Sequence, residues 1–332
     1  MKPLAGKRII DLTRYAPGPY ASLVCASLGA EVVKIETPPH GDPLRKLDES
    51  AFDRLNAGKK SLLVNLNSRD EVSRLLSLIR TADVLMEGFR PGVIDQFGLD
   101  HRTVIEHVPS IIYVSISGYG QSGPYAHRAG HDLNYMATAG ALYRSQKPLP
   151  FQFADFAAGG LYAVINILAA LIEGKGGYFD LSMHDGLISL TMLSGGPAED
   201  ALSGRYPNYT VYETLDGKKL VVGALENKFW EEFCRIIKRQ DLVKRASDPS
   251  ARIDVAEIIK RQRGDEWEAL FENVDACVEI AMSVKEAQTH KQSVHRGRSG
   301  NEFKLPFELQ HTHLSPAPKL GEHNNEILSV FG

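Results

Sequence analysis

Residues 8–36 read RIIDLTRYAPGPYASLVCASLGAEVVKIE, and this stretch decides the fold. Arg8-Ile9-Ile10-Asp11-Leu12 is a short apolar run of strand type. Over residues 20–28 apolar side chains recur at helical spacing, with Pro19 near the start and Gly29 just past the end, where those residues favour helix entry and exit. Glu31-Val32-Val33-Lys34-Ile35-Glu36 predicts a second strand. Strand, helix and strand in so short a span predict a parallel pair joined by a right-handed crossover. The pattern continues downstream. Residues 61–66 predict a third strand, and Ser68-Arg69-Asp70-Glu71 predicts a capping box opening a helix through Ile79. Residues 83–86 and 111–115 predict two more strands. The expected class is α/β: a mostly parallel, doubly wound, Rossmann-like large domain with helices on both faces.

Past Asp155 the pattern changes. Residues 156–172 predict one long helix with Gly159-Gly160 near its start, 178–182 a strand and 185–193 another helix. Ser194-Gly195-Gly196-Pro197 is a break. Residues 209–222 alternate around Asp216-Gly217, a hairpin signal. Helical spacing returns at 228–237, 255–261 and 265–271, and a short helix is expected near Glu326. These elements predict a smaller α+β domain at 206–300, with the large domain formed by 1–205 and 301–332.

Composition excludes several functions. With 43% hydrophobic and 24% charged residues the chain is of ordinary globular type. A formal net charge of −3 offers no basic field, so no nucleic-acid partner is expected. The longest apolar run, residues 161–172, is too short to span a bilayer, so no membrane partner is expected. The opening MKPLAGKR has no apolar signal region, and Cys25, Cys234 and Cys277 form neither a zinc pattern nor a disulfide framework. A cytoplasmic chain without a metal is the expectation.

His131 and Asp155 are the main candidates for chemistry. A lone histidine is commonly a surface or satisfied core residue. This one follows the glycine-rich Ser117-Gly118-Tyr119-Gly120-Gln121-Ser122-Gly123-Pro124, which leaves the carboxyl end of a predicted strand, where ligands bind in open α/β sheets. Asp155 lies in the apolar Phe153-Ala154-Asp155-Phe156 and reads equally as a helix N-cap or as an acid–base group. Burial would raise its pKa and a helix dipole would lower it. Free N–H groups at that helix start could also receive an anionic oxygen, as enolisation of a carbonyl compound requires. Asn56, Ala57, Gly58, Lys59 and Lys60 form a basic loop before a strand, and Phe89-Arg90-Pro91-Gly92 follows another. Both read as solvated turns or as contacts to a phosphate-bearing ligand. Neither is a P-loop, and no GxGxxG follows the first strand, which disfavours a nucleotide dehydrogenase. Glu226 alone reads as a solvated strand end. His184, His311 and His313 read as structural or exposed.

Taken in order, Ala16-Pro17-Gly18-Pro19-Tyr20, Leu28 to Glu36, Asn56 to Leu66, Glu87 to Gly92, Ser117 to Pro124, Ala129-Gly130-His131-Asp132-Leu133-Asn134-Tyr135, Ala154-Asp155-Phe156, Val222 to Glu226, Asp275 to Val278 and Pro316-Ala317-Pro318 resemble the class III CoA-transferase superfamily, and within it the acyl-CoA racemases. The resemblance implies an interlocked homodimer with the site between domains of two subunits. The ligand it implies is an acyl-CoA thioester, as substrate and without a further cofactor, in lipid metabolism. It implies His131 and Asp155 as the two bases and Glu226 as the acid orienting the histidine. Ala129, Gly130, Asp132, Leu133 and Asn134 would contact substrate, and Asn56, Ala57, Gly58, Lys59, Lys60 and Arg90 would lie toward CoA. The expected reaction interconverts epimers of a 2-methylacyl-CoA by 1,1-proton transfer through an enolate. Two alternatives stand beside it: CoA transfer between carboxylic acids through a mixed anhydride on Asp155, and a catalytically silent acyl-CoA-binding relative. Phe151, Ala57 and Thr37 depart from the residues frequent in the racemases at those places.

Overall fold

The computed structural model describes residues 2–143, 149, 151–297, 305–306 and 314–329. The chain divides into two compact units, Met1–Thr191 with Lys304–Gly332, and Met192–Phe303. In the first, β1 (Arg8–Leu12), β2 (Glu31–Glu36), β3 (Lys60–Leu63), β4 (Val84–Glu87), β5 (Ile112–Ser117) and β6 (Gly177–Ser182) form a six-stranded sheet in the order β3-β2-β1-β4-β5-β6. Every pair in it is parallel. Alternate side chains feed two cores. Ile9, Val32, Met86 and Val114 face the helices Pro17–Ser27 and Tyr162–Glu173, while Ile10, Val33, Leu62 and Leu85 face Arg69–Ile79 and His101–His107. This is the doubly wound arrangement that strands apolar on both faces require.

The predicted strands and the crossover helix are present, with shifted ends. Pro17 takes the first turn, so the first helix spans Pro17–Ser27. The third strand stops at Leu63 because Asn65 turns the chain: its side chain accepts from the Asn67 N–H (3.1 Å) and its carbonyl from the Ser68 N–H (2.9 Å). The capping box is half formed. Ser68 Oγ accepts the Glu71 N–H (3.4 Å), but the Glu71 carboxylate takes the Asn65 N–H (2.7 Å) instead of returning to Ser68. The exposed edge at β3 is blunted by the C-terminal segment: Asn324 Oδ1 accepts the Leu63 N–H (2.9 Å) and the Ser61 carbonyl accepts the His323 N–H (3.1 Å).

The long helix differs most from expectation. It runs over Phe153–Glu173, 21 residues, which by length and composition alone is enough to cross a membrane. Its first nine residues, Phe153–Leu161, are π-helical before α-helix continues over Tyr162–Glu173. Gly159 and Gly160 permit its close approach to Pro17–Ser27. A Cβ on Gly160 would lie 2.8 Å from the Tyr20 ring and 3.1 Å from the Pro17 carbonyl.

The second unit holds a three-stranded antiparallel sheet, β7 (Tyr209–Glu213), β8 (Lys219–Gly223) and β9 (Val278–Ile280). The β7–β8 hairpin turns at Asp216-Gly217, with Gly217 at φ 77°. Trp230, Phe233, Trp267 and Phe271, from the helices Asn227–Ile236 and Gly264–Phe271, form its core with the sheet.

Candidate active site

The sheet order reverses between β1 and β4, and ligands of doubly wound folds bind at the carboxyl ends of strands beside such a switch point. The first unit has a cleft of about 560 Å³ there. Its walls are the segments leaving β1 (Thr13, Arg14, Tyr15), β4 (Gly88, Phe89, Arg90) and β5 (Ser117, Gly118), together with Ala129, Gly130, His131, Asn134, Tyr135 and Asp155. Ala129, Gly130, His131 and Asn134 of one short segment thus meet Arg90 and Asp155, which are distant from it in sequence, on one surface.

Local structure fixes the two candidate bases. His131 is the N-cap of the helix Asp132–Thr138, and its N–H donates to Asn134 Oδ1 at 3.0 Å. The Tyr135 hydroxyl donates to the Gly130 carbonyl at 2.6 Å, holding the backbone just before the histidine. Asp155 is the third residue of the π-helical segment, a form found mostly at functional sites. Burial, and then the Asp132 carboxylate, push the Asp155 pKa up to about 7. At neutral pH it is therefore present in both acid and base forms, as reversible proton transfer requires.

Two expectations are corrected here. Asp132 is buried and does not line the cleft: its Oδ1 accepts the Asp155 N–H at 3.1 Å, and its carboxylate also accepts from the Ala154 backbone. Those donors are therefore engaged and not open to an anionic oxygen. Asp132 acts by fixing and tuning Asp155. Leu133, in the same turn, is exposed outside the cleft wall. Replacing Asp132 by Asn keeps the acceptor and removes the charge. The carboxylate form of Asp155 is lost as pH falls through about 7, so the acid limb of any rate that needs Asp155 as a base lies there. In Asp132→Asn that limb moves to lower pH, which a pH series of initial rates would reveal; an unmoved limb would contradict the tuning role.

The loop Asn56–Lys60 is the larger correction. Asn56 and Lys59 are buried. Lys59 Nζ donates to the Pro19 carbonyl and to Asn56 Oδ1, each at 2.9 Å, and lies 3.5 Å from Asp11 Oδ2. Burial pulls the Lys59 pKa down to about 7, against the Asp11 carboxylate. Lys60 begins β3, at the opposite end of the parallel sheet from the cleft, and pairs with Glu31 (2.7 Å) and Glu326 (2.6 Å). Gly58, at φ 77°, packs on Leu314, and its N–H donates to the Ser315 carbonyl (2.8 Å); Ala57 precedes it as the helix C-cap. No residue of this loop lines the cleft. Its contribution is indirect. Asp11, held by Lys59 and the Ser22 hydroxyl, accepts the Thr13 N–H (2.9 Å), and Lys34 bridges the Thr13 carbonyl (3.0 Å) and Asp42 (2.9 Å). This buried network sets the path of the chain into Arg14, Tyr15 and Pro17.

Sequence reading missed Arg14 and Arg128, both in the cleft wall. Arg14 rests over the Phe89 ring (5.0 Å) and Arg128 over Tyr125 (4.2 Å). Charge alone does not mark them in a chain with 38 Lys and Arg. Glu226 belongs to the second unit, where it is exposed at the N-cap of Asn227–Ile236. His184 stands 5.7 Å from the Tyr119 ring, outside the cleft wall. His311 and His313 lie outside the described residues.

His131, Asp155 and the cationic side chains Arg14, Arg90 and Arg128 thus share one cleft at the switch point of a doubly wound sheet. The profile of CoA-transferase family III matches residues 4–324, and the chain belongs to that family. It is 31% identical to the alpha-methylacyl-CoA racemase of Mus musculus, over 99% of this chain and 93% of that protein. It is 29% identical to the succinyl-CoA:glutarate CoA-transferase of the same species, over 99% of this chain and 86% of that protein. Among solved structures, the Mycobacterium tuberculosis protein Rv3272 superposes with a TM-score of 0.85 at 28% identity, covering 100% of this chain and 99% of that one.

Proposed function

We propose that the protein is an acyl-CoA epimerase acting on 2-methylacyl thioesters by 1,1-proton transfer. The observation that carries this reading is that His131 and Asp155, on separate elements, border one cleft. A single base reaches one face of a planar enolate; inversion needs two. One side chain takes the α-proton as the other stands ready to return one to the opposite face. Negative charge developing on the thioester oxygen is met by the positive end of the Pro17–Ser27 helix, whose Pro17 and Gly18 reach the cleft. Arg90 offers charge-assisted contacts to the CoA moiety. The racemase likeness, at 31% identity, supports the same reading. The test is incubation of a single 2-methylacyl-CoA epimer with the full chain, followed by chiral separation. Racemisation is expected, and an unchanged epimer would contradict it. The transferase relative favours a second reading, in which Asp155 is a nucleophile. Hydroxylamine trapping of an adduct on Asp155 distinguishes the two.

The working form we propose is a cytoplasmic homodimer in which Glu226 of one subunit orients a histidine of the other. Leu161, Ile165 and Ile172 support it. They share one stripe of the long helix and are 41%, 57% and 86% exposed, with Ile188 and Leu190 also exposed nearby in sequence. An apolar stripe of this kind calls for a cover. Sedimentation at micromolar concentration should give a dimer; a stable folded monomer would contradict it.

A further inference from the structure

We propose that the cleft selects an acyl group carrying its own carboxylate, received by Arg14. The inference rests on the acyl-CoA reading above and names its substrate class. Arg14 is exposed in the cleft wall, and no carboxylate among the described residues pairs with it, with Arg90 or with Arg128. Among the described residues, Asp155 is the one acidic residue in that wall. Arg14 and Asp155 line the same cleft. Arg14 lies three positions before Pro17, which packs against Gly159 and Gly160 of the segment that carries Asp155. The pantetheine arm of CoA separates its phosphates from the thioester, so a cation in the wall that holds Asp155 is assigned to the acyl group.

The guanidinium is held for a ligand. Its central carbon lies over the Phe89 ring, 5.0 Å from the centroid, and its N–H groups are the donors with which arginine forks a carboxylate. The next residue, Tyr15, lines the same cleft with φ 65°, a left-handed backbone that a non-glycine residue keeps only where its surroundings enforce it. The Asp42 carboxylate, which accepts the Tyr15 N–H at 3.3 Å and pairs with Lys34, is part of that enforcement. An uncharged acyl tail would leave Arg14 without a partner and gain nothing from this arrangement.

The test compares two thioesters that differ at the tail: 2-methylglutaryl-CoA, with the thioester beside the methyl-bearing carbon, and 2,5-dimethylhexanoyl-CoA, in which an isopropyl group replaces the carboxylate. Both calorimetric affinity and α-proton exchange are read, for the wild-type chain and for Arg14→Leu and Arg14→Gln. A charge-assisted contact predicts a wild-type preference for the carboxylate of roughly 10- to 100-fold, collapsing toward unity in both variants. A wild-type ratio near one, or a preference for the isopropyl tail, overturns the proposal. A ratio that persists in the variants overturns it too, since a phosphate contact would weaken both esters alike. If neither ester exchanges its α-proton, the epimerase reading fails, while the affinity ratio still decides the role of Arg14.

Discussion

His131→Ala and Asp155→Asn will each abolish epimer interconversion, and they will do so with opposite stereochemical signatures. Inversion requires a proton to leave one face of the α-carbon and enter the other, so losing either group stops it. General acid–base groups contribute on the order of 10²–10⁴-fold, and losses of that size are expected. Exchange on the face still served survives at a reduced rate. In deuterated water His131→Ala should therefore label one epimer and Asp155→Asn the other. The two sites permit this separation, because His131 caps one helix and Asp155 lies within a different one. Full turnover in His131→Ala, with an adduct on wild-type Asp155, would replace the epimerase by the transferase.

Lys59→Met will damage the fold and not the ligand contacts. The Lys59 side chain is fully buried against Asp11, the Pro19 carbonyl and Asn56. Burial alone would raise the Asp11 carboxyl, but Lys34 and Lys59 hold it below the usual carboxylate range. Lys59→Met leaves the buried Asp11 with Lys34, Ser22 and Thr13 as its remaining partners; removing one partner of a buried pair costs about 3–5 kcal/mol. Denaturant melts should show that loss, with CoA affinity per folded molecule retained. Unchanged stability with lost CoA affinity would return Lys59 to the ligand.

The parallel sheet was legible because its strands are apolar on both faces and its helices keep their own period. The β7–β8 hairpin was legible from Asp216-Gly217. His131 and Asp155 stood out as candidates from local context, since a glycine-rich loop and an acid in an apolar run are unusual, and both border one cleft. The fate of Lys59 was not. A lysine in a basic, glycine-containing loop looks solvated, and the residues that bury it come from β1 and the Pro17–Ser27 helix, distant in sequence. Asp132 escaped in the same way: its partner is the backbone of Asp155, and composition gives no sign of a side-chain-to-backbone bond between distant segments. The π-helical start of Phe153–Glu173 escaped because apolar spacing does not separate π from α geometry over so few turns.

This chain is expected to remove and return the α-proton of an acyl thioester. The most direct measurement is deuterium incorporation at C2 of a single 2-methylacyl-CoA epimer incubated with the wild-type chain in deuterated water, read by mass and by chiral separation. One deuterium per molecule is expected, appearing in the opposite epimer. Recovery of unlabelled starting epimer after prolonged incubation would contradict it.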